Sequence, residues 1–347
     1  MGDNKDVYMK NNRLKAMIMA AGVGSRLEPL TKSVPKPLVP VANRPVMDIL
    51  IDNLKSIGVH DVVSNTYYLA EQIIDRYKNG FCGINFNFIK EETLSGTAGG
   101  LKKCQFFFDE GDEFIVLSAD GLTNADLQKG IDIHRKSGVI ATIGIKEISH
   151  EEVSHFGVVV TDETGYISEF QEKPSVHEAK SNFINTGIYI FDYRIFDYIP
   201  ANTFYDFAKN VFPELLKAHE INTFVIDNYW TDIGTLAQYK QSTHDLFEGR
   251  CSFEHAQMKN SNSGRYISET SNLPQDIRIM GNTTIGRNCK FGKNITLNNS
   301  IIWDDVIIAD GVTIDNSVVA SGSVIERNIS DMIIGADTVI EQTAVKI

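Results

Sequence analysis

The stretch KAMIMAAGVGSRLEPLTKSVPKP, residues 15–37, joins an apolar run to a glycine-rich turn and then to basic residues set among prolines. The run KAMIMAAG predicts a buried strand. Gly22 and Gly24 allow a tight turn that leaves backbone N–H groups free to face an anion. Arg26 adds a permanent charge of a shape that suits phosphate oxygens, and prolines on either side restrain Lys36. The stretch therefore predicts a phosphate-binding loop at the end of a strand.

Two familiar phosphate-binding motifs do not match this loop. A Walker A loop requires Gly-Lys-Ser/Thr, which the chain lacks, and the dinucleotide fingerprint requires a third glycine where Leu27 stands. Gly-x-Gly after a strand is a weak signal by itself. Arg26 and the Pro-Lys-Pro segment make it considerably stronger.

Outward from the loop, strand-like apolar runs alternate with segments of helical spacing from Lys15 to about Asn228. VMDILIDNLKSIG (46–58) and NADLQKGIDIHRKSG (124–138) predict helices, and EFIVLSADG (113–121) predicts a strand. This βαβα order predicts an α/β, Rossmann-like domain whose sheet is mostly parallel, with helices on both faces. Ligands of such sheets lie beyond the carboxyl ends of the strands, where the loop begins.

The character of the sequence changes after about Phe253, where a polar segment reads as a linker. Apolar residues then recur every six positions, with one slip of a single residue: Ile279, Ile285, Phe291, Leu297, Ile302, Ile308, Ile314 and Ala320. Three such steps make one triangular turn of a parallel β-helix, and the segment supplies about four turns. Asn, Asp and Gly suit the corners. A set of short antiparallel strands is the alternative.

These patterns divide the 347 residues into a polar tail at 1–14, an α/β domain at 15–250, a linker at 251–274 and a β-helix at 275–347. Length alone already favours two domains, because single cores stop growing at about 250–300 residues.

Bulk composition excludes several classes of protein. A formal net charge of −12 argues against a nucleic-acid partner, which usually requires a basic face. The four cysteines are far apart and include no Cys-x-x-Cys pair, so neither a disulfide framework nor a zinc site is expected. This use of cysteine predicts that the protein resides in a reducing cytoplasm. The polar N-terminus is not a signal peptide, and no apolar run approaches the roughly 18 residues that span a membrane.

The loop and five later segments resemble the signature of the sugar-1-phosphate nucleotidyltransferases. The later segments are ETLSGTAGGL (92–101), VLSADGLTNAD (116–126), SHFGVVVTDETGYISEFQEKP (154–174), NTGIYIF (185–191) and YWTDIG (229–234). Their order is right over roughly residues 15–245. The resemblance is closest to the mannose-1-phosphate guanylyltransferases, and it implies a GT-A-like nucleotidyltransferase domain followed by a left-handed β-helix.

The resemblance implies that a sugar-1-phosphate oxygen attacks the α-phosphorus of a nucleoside triphosphate and that pyrophosphate leaves. The nucleophile needs no strong base, because a phosphate monoester with a second pKa of about 6 is largely dianionic at pH 7. Catalysis is then mostly positioning and charge neutralisation.

The resemblance assigns five residues to catalysis. Arg26 is expected to stabilise the leaving pyrophosphate, Lys36 to hold the α-phosphate region, and Lys173 in QEKP to bind the incoming phosphate. Asp120 and Asp232 are expected to bind Mg²⁺ together, since Mg²⁺ usually takes one or two carboxylates with phosphate oxygens. Without the resemblance, Asp120 is equally a turn former and Asp232 a helix N-cap.

The resemblance also implies two sets of binding residues. The nucleotide is expected to contact Ala21, Gly22, Gly24, Ser25, Arg26, Glu92, Gly96 and Thr97. The sugar phosphate is expected to contact Gly157, Glu172, Lys173, Asn185 and Thr186. The implied partners are a nucleoside triphosphate and a sugar-1-phosphate, with Mg²⁺ as the cofactor.

The identity of the base depends on one carboxylate. Glu92 matches the two adjacent donors of guanine and so favours GTP, although a solvated loop charge is an equal reading. Glu28 stands where family members often carry arginine or an aromatic residue. It either points away from the phosphates or weakens triphosphate binding.

Three functions compete. The first is synthesis of GDP-mannose from GTP and mannose-1-phosphate, and the second is a uridylyl- or thymidylyltransferase that acts on glucose-1-phosphate. The third is a catalytically silent homologue that senses a nucleotide-sugar, which the presence of all five catalytic residues disfavours. Hexapeptide-repeat acyltransferases use a histidine, but the last histidine, His255, precedes the repeats. The β-helix is therefore expected to serve homo-oligomer assembly and regulation.

Overall fold

The computed structural model describes residues 13–251 and 265–342. Almost all of the predicted tail lies outside them. The strands of the first domain are β1 Lys15–Ala20, β2 Pro40–Val41, β3 Arg44–Pro45, β4 Asp61–Thr66, β5 Asn85–Lys90, β6 Glu113–Ser118, β7 Gly121–Thr123, β8 Ala141–Glu147, β9 Gly157–Thr161, β10 Ile167–Glu172, β11 Phe183–Asp192, β12 Ile221–Val225 and β13 Trp230–Asp232. Its α-helices are α1 Val46–Ser56, α2 Ala70–Tyr77, α3 Gly96–Lys103, α4 Leu127–Ser137, α5 Phe212–Lys217 and α6 Leu236–Phe247.

Short 3₁₀ turns shape the loops between these elements. They lie at Ser25–Leu27, Leu30–Lys32, Lys36–Leu38, Gln105–Phe107, His150–His155 and Tyr193–Tyr198, and a π-helical turn spans Phe207–Val211. No helix in the described part of the chain is both long and apolar enough to span a membrane.

The α/β, Rossmann-like fold class is confirmed. Nine strands form one sheet with the order β10-β9-β11-β6-β1-β4-β5, and β8 joins β11 to β12. The strands β5, β4, β1 and β6 are parallel, as are β8 and β12. The sheet is antiparallel around β11, which runs against β6, β8 and β9. Because β1, β4 and β6 are parallel neighbours, their carboxyl ends meet at one edge.

Helices cover both faces of the sheet, as the sequence predicts. Successive residues of a strand point to opposite faces. Ala16 and Ile18 of β1 pack in a core with residues of α1, α2 and α4, whereas Met17 packs in a core with residues of α3 and α5. Helix α4 shows why a segment starts and stops where it does. The Asp126 side chain accepts a hydrogen bond from a first-turn amide, and Gly138 ends the helix with a φ of 68°.

The second domain consists of short parallel strands stacked in three sheets, as expected for a left-handed β-helix. The strands are β14 Arg265–Ile267, β15 Arg278–Met280, β16 Thr283–Ile285, β17 Lys290–Phe291, β18 Thr296–Asn298, β19 Ile301–Ile302, β20 Ile307–Ile308, β21 Thr313–Asp315, β22 Val318–Val319, β23 Val324–Ile325, β24 Ile329–Ser330, β25 Ile333–Ile334 and β26 Val339–Ile340. The sheets are β14-β16-β19-β22-β25, β15-β18-β21-β24 and β17-β20-β23-β26.

The turns of the β-helix shorten along the chain. Ile279 pairs with Leu297, Leu297 with Ile314 and Ile314 with Ile329, so successive turns take 18, 17 and 15 residues. The predicted slip lies at a corner where Asn299 adopts a left-handed φ of 47°.

The later shortening was not predicted, and it corrects the repeat. Ile302 pairs with Val319, so Val319 continues the inward row. Ala320, which the six-residue spacing placed in that row, packs instead toward the first domain.

The stretch predicted as a linker, 251–274, contains the first strand of the β-helix. Strand β14 pairs with β16, so the β-helix begins by Arg265 rather than at 275. Residues 252–264 lie outside the described residues.

The two domains share an apolar core. Leu27 and Leu30 of the predicted phosphate loop belong to the same buried cluster as Ile301, Trp303 and Val318 of the β-helix. The loop therefore rests on the second domain as well as on the end of β1.

Candidate active site

A cavity of about 440 Å³ opens beyond the carboxyl ends of β1, β4 and β6. Its lining residues are Met19, Ala20, Ala21, Gly22, Gly24, Ser25, Arg26, Lys36, Pro37, Asn65, Glu91, Leu94, Gly96, Thr97, Ser118, Ala119, Asp120, Phe204, Asp206 and Gly234. The cavity lies at the sheet edge where the sequence places a ligand. It brings together most of the predicted nucleotide residues with two of the predicted catalytic residues from elsewhere in the chain, Lys36 and Asp120.

The predicted phosphate loop folds back on itself at Gly24. This residue has a φ of +72°, and a Cβ placed on it would lie 3.1 Å from the Lys36 Cβ. The Thr31 hydroxyl donates to the Gly24 carbonyl oxygen over 2.8 Å and fixes the turn. Among the described residues, the backbone N–H groups of 22–24 donate no hydrogen bond to the protein. Such free N–H groups at a strand end suit an anion.

The positive and negative side chains that follow the turn, Arg26 and Glu28, lie in different places. Arg26 is exposed, lines the cavity, and makes no ion pair within the described part of the chain. Glu28 lies outside the cavity lining and forms a 3.7 Å ion pair with Lys32. Glu28 therefore points away from the predicted phosphate position, so its negative charge is not placed to weaken triphosphate binding.

Lys36, which is nearly buried, and Asp120, which is partly exposed, form an ion pair at the floor of the cavity. The Lys36 ammonium donates to Asp120 Oδ2, and the Ser118 hydroxyl donates to Asp120 Oδ1 over 2.7 Å. Burial alone would raise the pKa of the Asp120 carboxyl, but the charge and hydrogen bond of Lys36, together with Ser118, bring that pKa below its ordinary value. Asp120 is therefore held as a carboxylate.

Asp232 comes from a distant part of the chain and lies next to Asp120, although it does not itself line the cavity as Gly234 does. Strands β13 and β7 pair so that Asp232 stands opposite Gly121, and the Ile233 amide donates to the Asp120 carbonyl oxygen over 3.0 Å. The Gln238 amide group donates to Asp232 Oδ1 over 2.7 Å. Burial and the negative charge of Asp120 raise the pKa of Asp232, against the opposing charges of Lys36 and Arg26.

The two carboxylates fit a divalent cation such as Mg²⁺. Their oxygens are the hard ligands that Mg²⁺ prefers, and their mutual repulsion would be relieved by a cation between them. Within 13–251 and 265–342, no group of three or more His, Cys, Asp or Glu side chains could hold a metal ion. The other ligands would have to come from phosphate oxygens and water.

A buried chain of hydrogen bonds, which the sequence analysis missed, supports the cavity wall. Glu91 is 4% exposed and accepts hydrogen bonds from the Asn65 side-chain amide over 2.7 Å and the Lys103 ammonium over 2.9 Å. The backbone amide of Ser95 also donates to Glu91, over 3.1 Å. Asn65 in turn accepts from the Ala20 amide over 3.3 Å. The chain ties the start of α3 to the end of β1.

The structure does not bring Glu92 to the cavity. Its side chain is exposed and outside the lining, and Glu91 takes the lining position instead. The position of Glu92 matches the alternative reading, a solvated loop charge, and gives no support for base recognition by this carboxylate.

Gly96 and Thr97 line the cavity and pack against the segment 204–207, for which the sequence analysis made no prediction. Gly96 has a φ of +78°, and a Cβ there would lie 2.4 Å from the Tyr205 carbonyl oxygen. The Thr97 hydroxyl donates to Asp206 Oδ2 over 3.0 Å and accepts from the Phe207 amide over 2.9 Å. Thr97 therefore anchors the neighbouring segment, from which Asp206 and Phe204 also line the cavity.

The predicted sugar-phosphate residues form a second cluster beside the cavity, and none of them lines it. Glu172 pairs with Gly157 across β10 and β9. The next residue, Lys173, is exposed, has a left-handed φ of 47°, and its amide donates to the Phe156 carbonyl oxygen over 3.1 Å. Its charged end is therefore free to meet a ligand that extends from the cavity.

The two remaining sugar residues make internal contacts. The Asn185 side chain donates to the Tyr189 hydroxyl and accepts from the Gly187 amide, both over 3.0 Å. The Thr186 hydroxyl is buried and donates to the Gly144 carbonyl oxygen over 2.6 Å. Thr186 therefore ties β11 to β8 where the register of their pairing shifts, between Asn185 and Tyr189.

Tyr189 connects the two clusters. Burial raises the pKa of its hydroxyl, and the charges of Asp206, Glu172 and Asp120 raise it further. These carboxylates belong to the cavity on one side and to the sugar-phosphate cluster on the other. The sequence signal for Tyr189 was its place in NTGIYIF, two residues beyond a glycine.

The Glu91 chain makes a testable contribution to stability. Replacing Glu91 by Gln is expected to lower the free energy of unfolding by about 2 kcal/mol at pH 7, because hydrogen bonds to a buried carboxylate are lost. Hydrogen bonds from Ser95, Lys103 and Asn65 outweigh burial and lower the pKa of Glu91 below its ordinary value of 4.5. The stabilisation is therefore complete above pH 4.5 and declines as the pH falls through the lowered pKa.

Urea unfolding at a series of pH values measures this difference. The exposed neighbour provides the control, since Glu92→Gln should leave the unfolding midpoint unchanged. A Glu91→Gln penalty that is absent at pH 7, or that grows toward low pH, would contradict the assigned sign.

Comparison with known proteins agrees with this geometry. A family model described as nucleotidyl transferase matches residues 15–248, and one described as GMPPB C-terminal domain matches residues 262–346. A UTP–glucose-1-phosphate uridylyltransferase of Synechocystis sp. is 41% identical over 246 residues, which are 66% of this chain and 62% of that protein. The chain thus spans less than two thirds of that relative's length.

Two further similarities extend the comparison. The catalytic subunit beta of a mannose-1-phosphate guanylyltransferase from Drosophila pseudoobscura pseudoobscura is 31% identical over 282 residues, which are 80% of this chain and 72% of that protein. A crystal structure from Bacillus anthracis, assigned as a glucose-1-phosphate thymidylyltransferase in complex with sucrose, superposes with a TM-score of 0.62 at 23% identity. It covers 70% of this chain and 98% of that one, and it supports the fold alone.

Proposed function

The chain belongs to the nucleotidyl transferase family, and from that premise we propose that it condenses a nucleoside triphosphate with a sugar-1-phosphate to give a nucleotide-sugar and pyrophosphate. One observation carries the proposal. The loop of residues 22–24, the exposed Arg26 and the Asp120 carboxylate meet at one cavity at the strand ends, and Asp232 stands next to Asp120 through the pairing of β13 with β7. Each of these groups is needed to bind and activate a triphosphate, and no simpler binding role requires all of them.

The reaction as proposed needs no proton transfer from the protein. An oxygen of the sugar phosphate forms a bond to the α-phosphorus, and the bond from that phosphorus to the bridging oxygen of the β-phosphate breaks. The electron pair leaves with pyrophosphate. Since the attacking phosphate is already largely dianionic at pH 7, with a second pKa of about 6, the residues act by position and charge.

The residues divide these tasks by their places in the cavity. The loop amides of 22–24 would cradle the triphosphate, with Ser25 beside them, and Arg26 would stabilise charge on the leaving pyrophosphate. Asp120 and Asp232 would hold Mg²⁺, which when bound supplies charge neutralisation of the phosphates. Lys36 keeps Asp120 ionised and placed.

The sugar-phosphate cluster would bind the second substrate. Lys173 presents an exposed ammonium beside Glu172, and these two suit a phosphate and a sugar hydroxyl respectively. Asn185 and Tyr189 form the hydrogen-bonded wall between this cluster and the cavity. The two substrates would therefore meet at this wall.

For the substrates themselves we propose GTP and mannose-1-phosphate. The match of residues 262–346 to the GMPPB C-terminal domain and the guanylyltransferase relative support this pair. The uridylyltransferase relative, at 41% identity, supports UTP with glucose-1-phosphate as the second candidate. Glu92 no longer favours either one, because it lies outside the cavity lining.

A substrate matrix separates these candidates. Pyrophosphate release would be measured with Mg²⁺ for GTP, UTP, dTTP, ATP and CTP, each against mannose-1-phosphate and glucose-1-phosphate. We expect the highest kcat/KM with GTP and mannose-1-phosphate. A preference for UTP and glucose-1-phosphate would keep the reaction and overturn the substrates. No release with any pair, in protein that still binds a nucleotide-sugar, would favour the silent sensor.

A further inference from the structure

Helix α6 lies between Asp232 and the β-helix and contacts both. Three consecutive side chains near its start point in different directions, because neighbouring residues on a helix are about 100° apart. Gln238 faces Asp232, Tyr239 faces the core shared by the two domains, and Lys240 faces the β-helix. The helix therefore connects the two domains and can fix the position of one relative to the other.

Gln238 holds Asp232, one of the two carboxylates proposed to bind the metal. Its side-chain amide donates to Asp232 Oδ1 over 2.7 Å, and its own oxygen accepts from the Thr235 hydroxyl over 3.0 Å. Thr235 is also the N-cap of α6, since it accepts from the Gln238 backbone amide over 3.2 Å. The orientation of Asp232 thus depends on where α6 begins.

Tyr239 joins this helix to the second domain and to β2, which follows the phosphate loop. Its side chain is fully buried, and its hydroxyl donates to the Pro40 carbonyl oxygen over 2.7 Å while it accepts from Trp303 Nε1 over 2.9 Å. The two rings meet edge to face, with centroids 6.4 Å apart. Both polar groups are satisfied by each other and by the chain that follows Lys36.

Other contacts bring the same two parts together. The Lys240 ammonium donates to the backbone oxygen and to the side chain of Asn316 in the β-helix, over 2.9 and 2.6 Å. On the loop, Pro29 lies against Gly335, where an added Cβ would come within 3.2 Å of the proline Cβ. The β-helix therefore contacts both the loop that carries Arg26 and the helix that holds Asp232.

We propose that Trp303, Tyr239 and Gln238 form a positioning chain through which the β-helix fixes Asp232 relative to Asp120 and the loop. The β-helix would then contribute to metal affinity without touching the metal. This inference rests on the proposed function, because it takes the two carboxylates to be the metal site. None of the three residues contacts the reacting phosphates; they act through Asp232 and the loop backbone.

Conservative variants test the chain. Trp303→Phe removes the N–H donor, Tyr239→Phe removes the hydroxyl, and Gln238→Met removes the amide but keeps the length. Mn²⁺ binding to the full chain, followed by electron paramagnetic resonance in the absence of substrates, is the first readout, and the Mg²⁺ dependence of pyrophosphate release is the second. We expect each variant to bind Mn²⁺ about three- to tenfold more weakly, the effect of one lost hydrogen bond.

The matched control is Tyr77→Phe, which removes another fully buried tyrosine hydroxyl, here hydrogen-bonded to Asp48 over 2.6 Å in a different core. It should lower the unfolding midpoint while leaving Mn²⁺ affinity unchanged. In addition, Trp303→Phe combined with Gln238→Met should weaken Mn²⁺ binding by less than the product of the single effects, because both act on one chain.

The outcomes separate the inference from the function on which it rests. If Asp232→Asn abolishes Mn²⁺ binding but the three variants bind like the unsubstituted protein, the positioning chain is wrong and the proposed metal site stands. The positioning chain is equally wrong if Tyr77→Phe weakens Mn²⁺ binding as much as Tyr239→Phe does. If Asp232→Asn leaves Mn²⁺ binding unchanged, the metal site itself is wrong, and the inference falls with it.

Discussion

Asp120→Asn is expected to lower turnover by about a thousandfold while the protein remains folded. Asp120 ends β6 at the floor of the cavity, and both of its oxygens are already held, one by Lys36 and one by Ser118. The substitution keeps the shape and removes the charge. It thereby removes the carboxylate proposed to hold Mg²⁺ and leaves the nearly buried Lys36 without its counter-charge.

The loss should fall on kcat rather than on the KM for the nucleoside triphosphate. The loop amides and Arg26, which would bind the phosphates in the ground state, are untouched by the change. Pyrophosphate release under saturating Mg²⁺, with both substrates varied, measures the two constants separately.

Ser118→Ala is the matched control, since it removes a single 2.7 Å hydrogen bond to the same carboxylate and keeps its charge. Its turnover should fall only a few-fold, in line with one lost hydrogen bond. Turnover of Asp120→Asn within a factor of two of the unsubstituted protein would remove Asp120 from the proposed mechanism.

The pairing of Asp120 with Asp232 shows how far the sequence could lead. Each aspartate has an ordinary local explanation, and nothing in the residues alone relates two positions so far apart in the chain. The resemblance proposed the pair, and the structure gives its physical basis, because β13 runs antiparallel to β7 and sets Asp232 opposite Gly121. Strand pairing at this distance is decided by the whole fold.

The glutamates at 91 and 92 show where sequence reasoning fails by one residue. The Glu91 amide still donates to the Thr66 carbonyl oxygen over 2.8 Å, so strand geometry continues one residue past the end of β5. Side chains alternate across a strand, so Glu91 turns inward to Asn65 and Glu92 turns to solvent. Which of two adjacent glutamates is buried depends on where the strand ends, and strand ends are the least predictable part of a fold.

The β-helix was predicted from its spacing, but its contact with the phosphate loop and with α6 was not. The six-residue spacing identifies only the residues that point into the β-helix, whereas residues beside them make the contact with the first domain. Trp303, next to the inward Ile302, is the informative exception, because a buried tryptophan outside the repeat requires a partner surface. The shortened turn that places Ala320 at the same surface depends on corner geometry, which composition does not reveal.

Lys36→Met is expected to lower kcat by about a hundredfold and also to change its pH dependence. The ammonium would be lost from the floor of the cavity, and Met nearly preserves the volume of the aliphatic stem. Lys36 lowers the pKa of Asp120 and opposes the rise of the pKa of Asp232. Without it, burial and mutual repulsion act on both carboxyls unopposed by that charge, so both pKa values rise.

The sign of the pH effect follows from the proposed role of the carboxylates. They must be ionised to hold a cation, so activity is lost as the pH falls through their pKa values. Since the substitution raises both values, the acid limb of the kcat profile should move to higher pH in Lys36→Met. Lys36→Arg, which keeps the positive charge, should leave the limb much closer to its original place.

These two measurements distinguish a lysine that acts on phosphate alone from one that also acts on the carboxylates. A Lys36→Met enzyme with lower kcat and an unmoved acid limb would assign Lys36 to the phosphate only, and the ion pair to packing. An acid limb that moves to lower pH would contradict the charges assigned to the cavity. The expected upward shift would show that one buried ammonium keeps two neighbouring carboxylates ready for a cation that both of them must share.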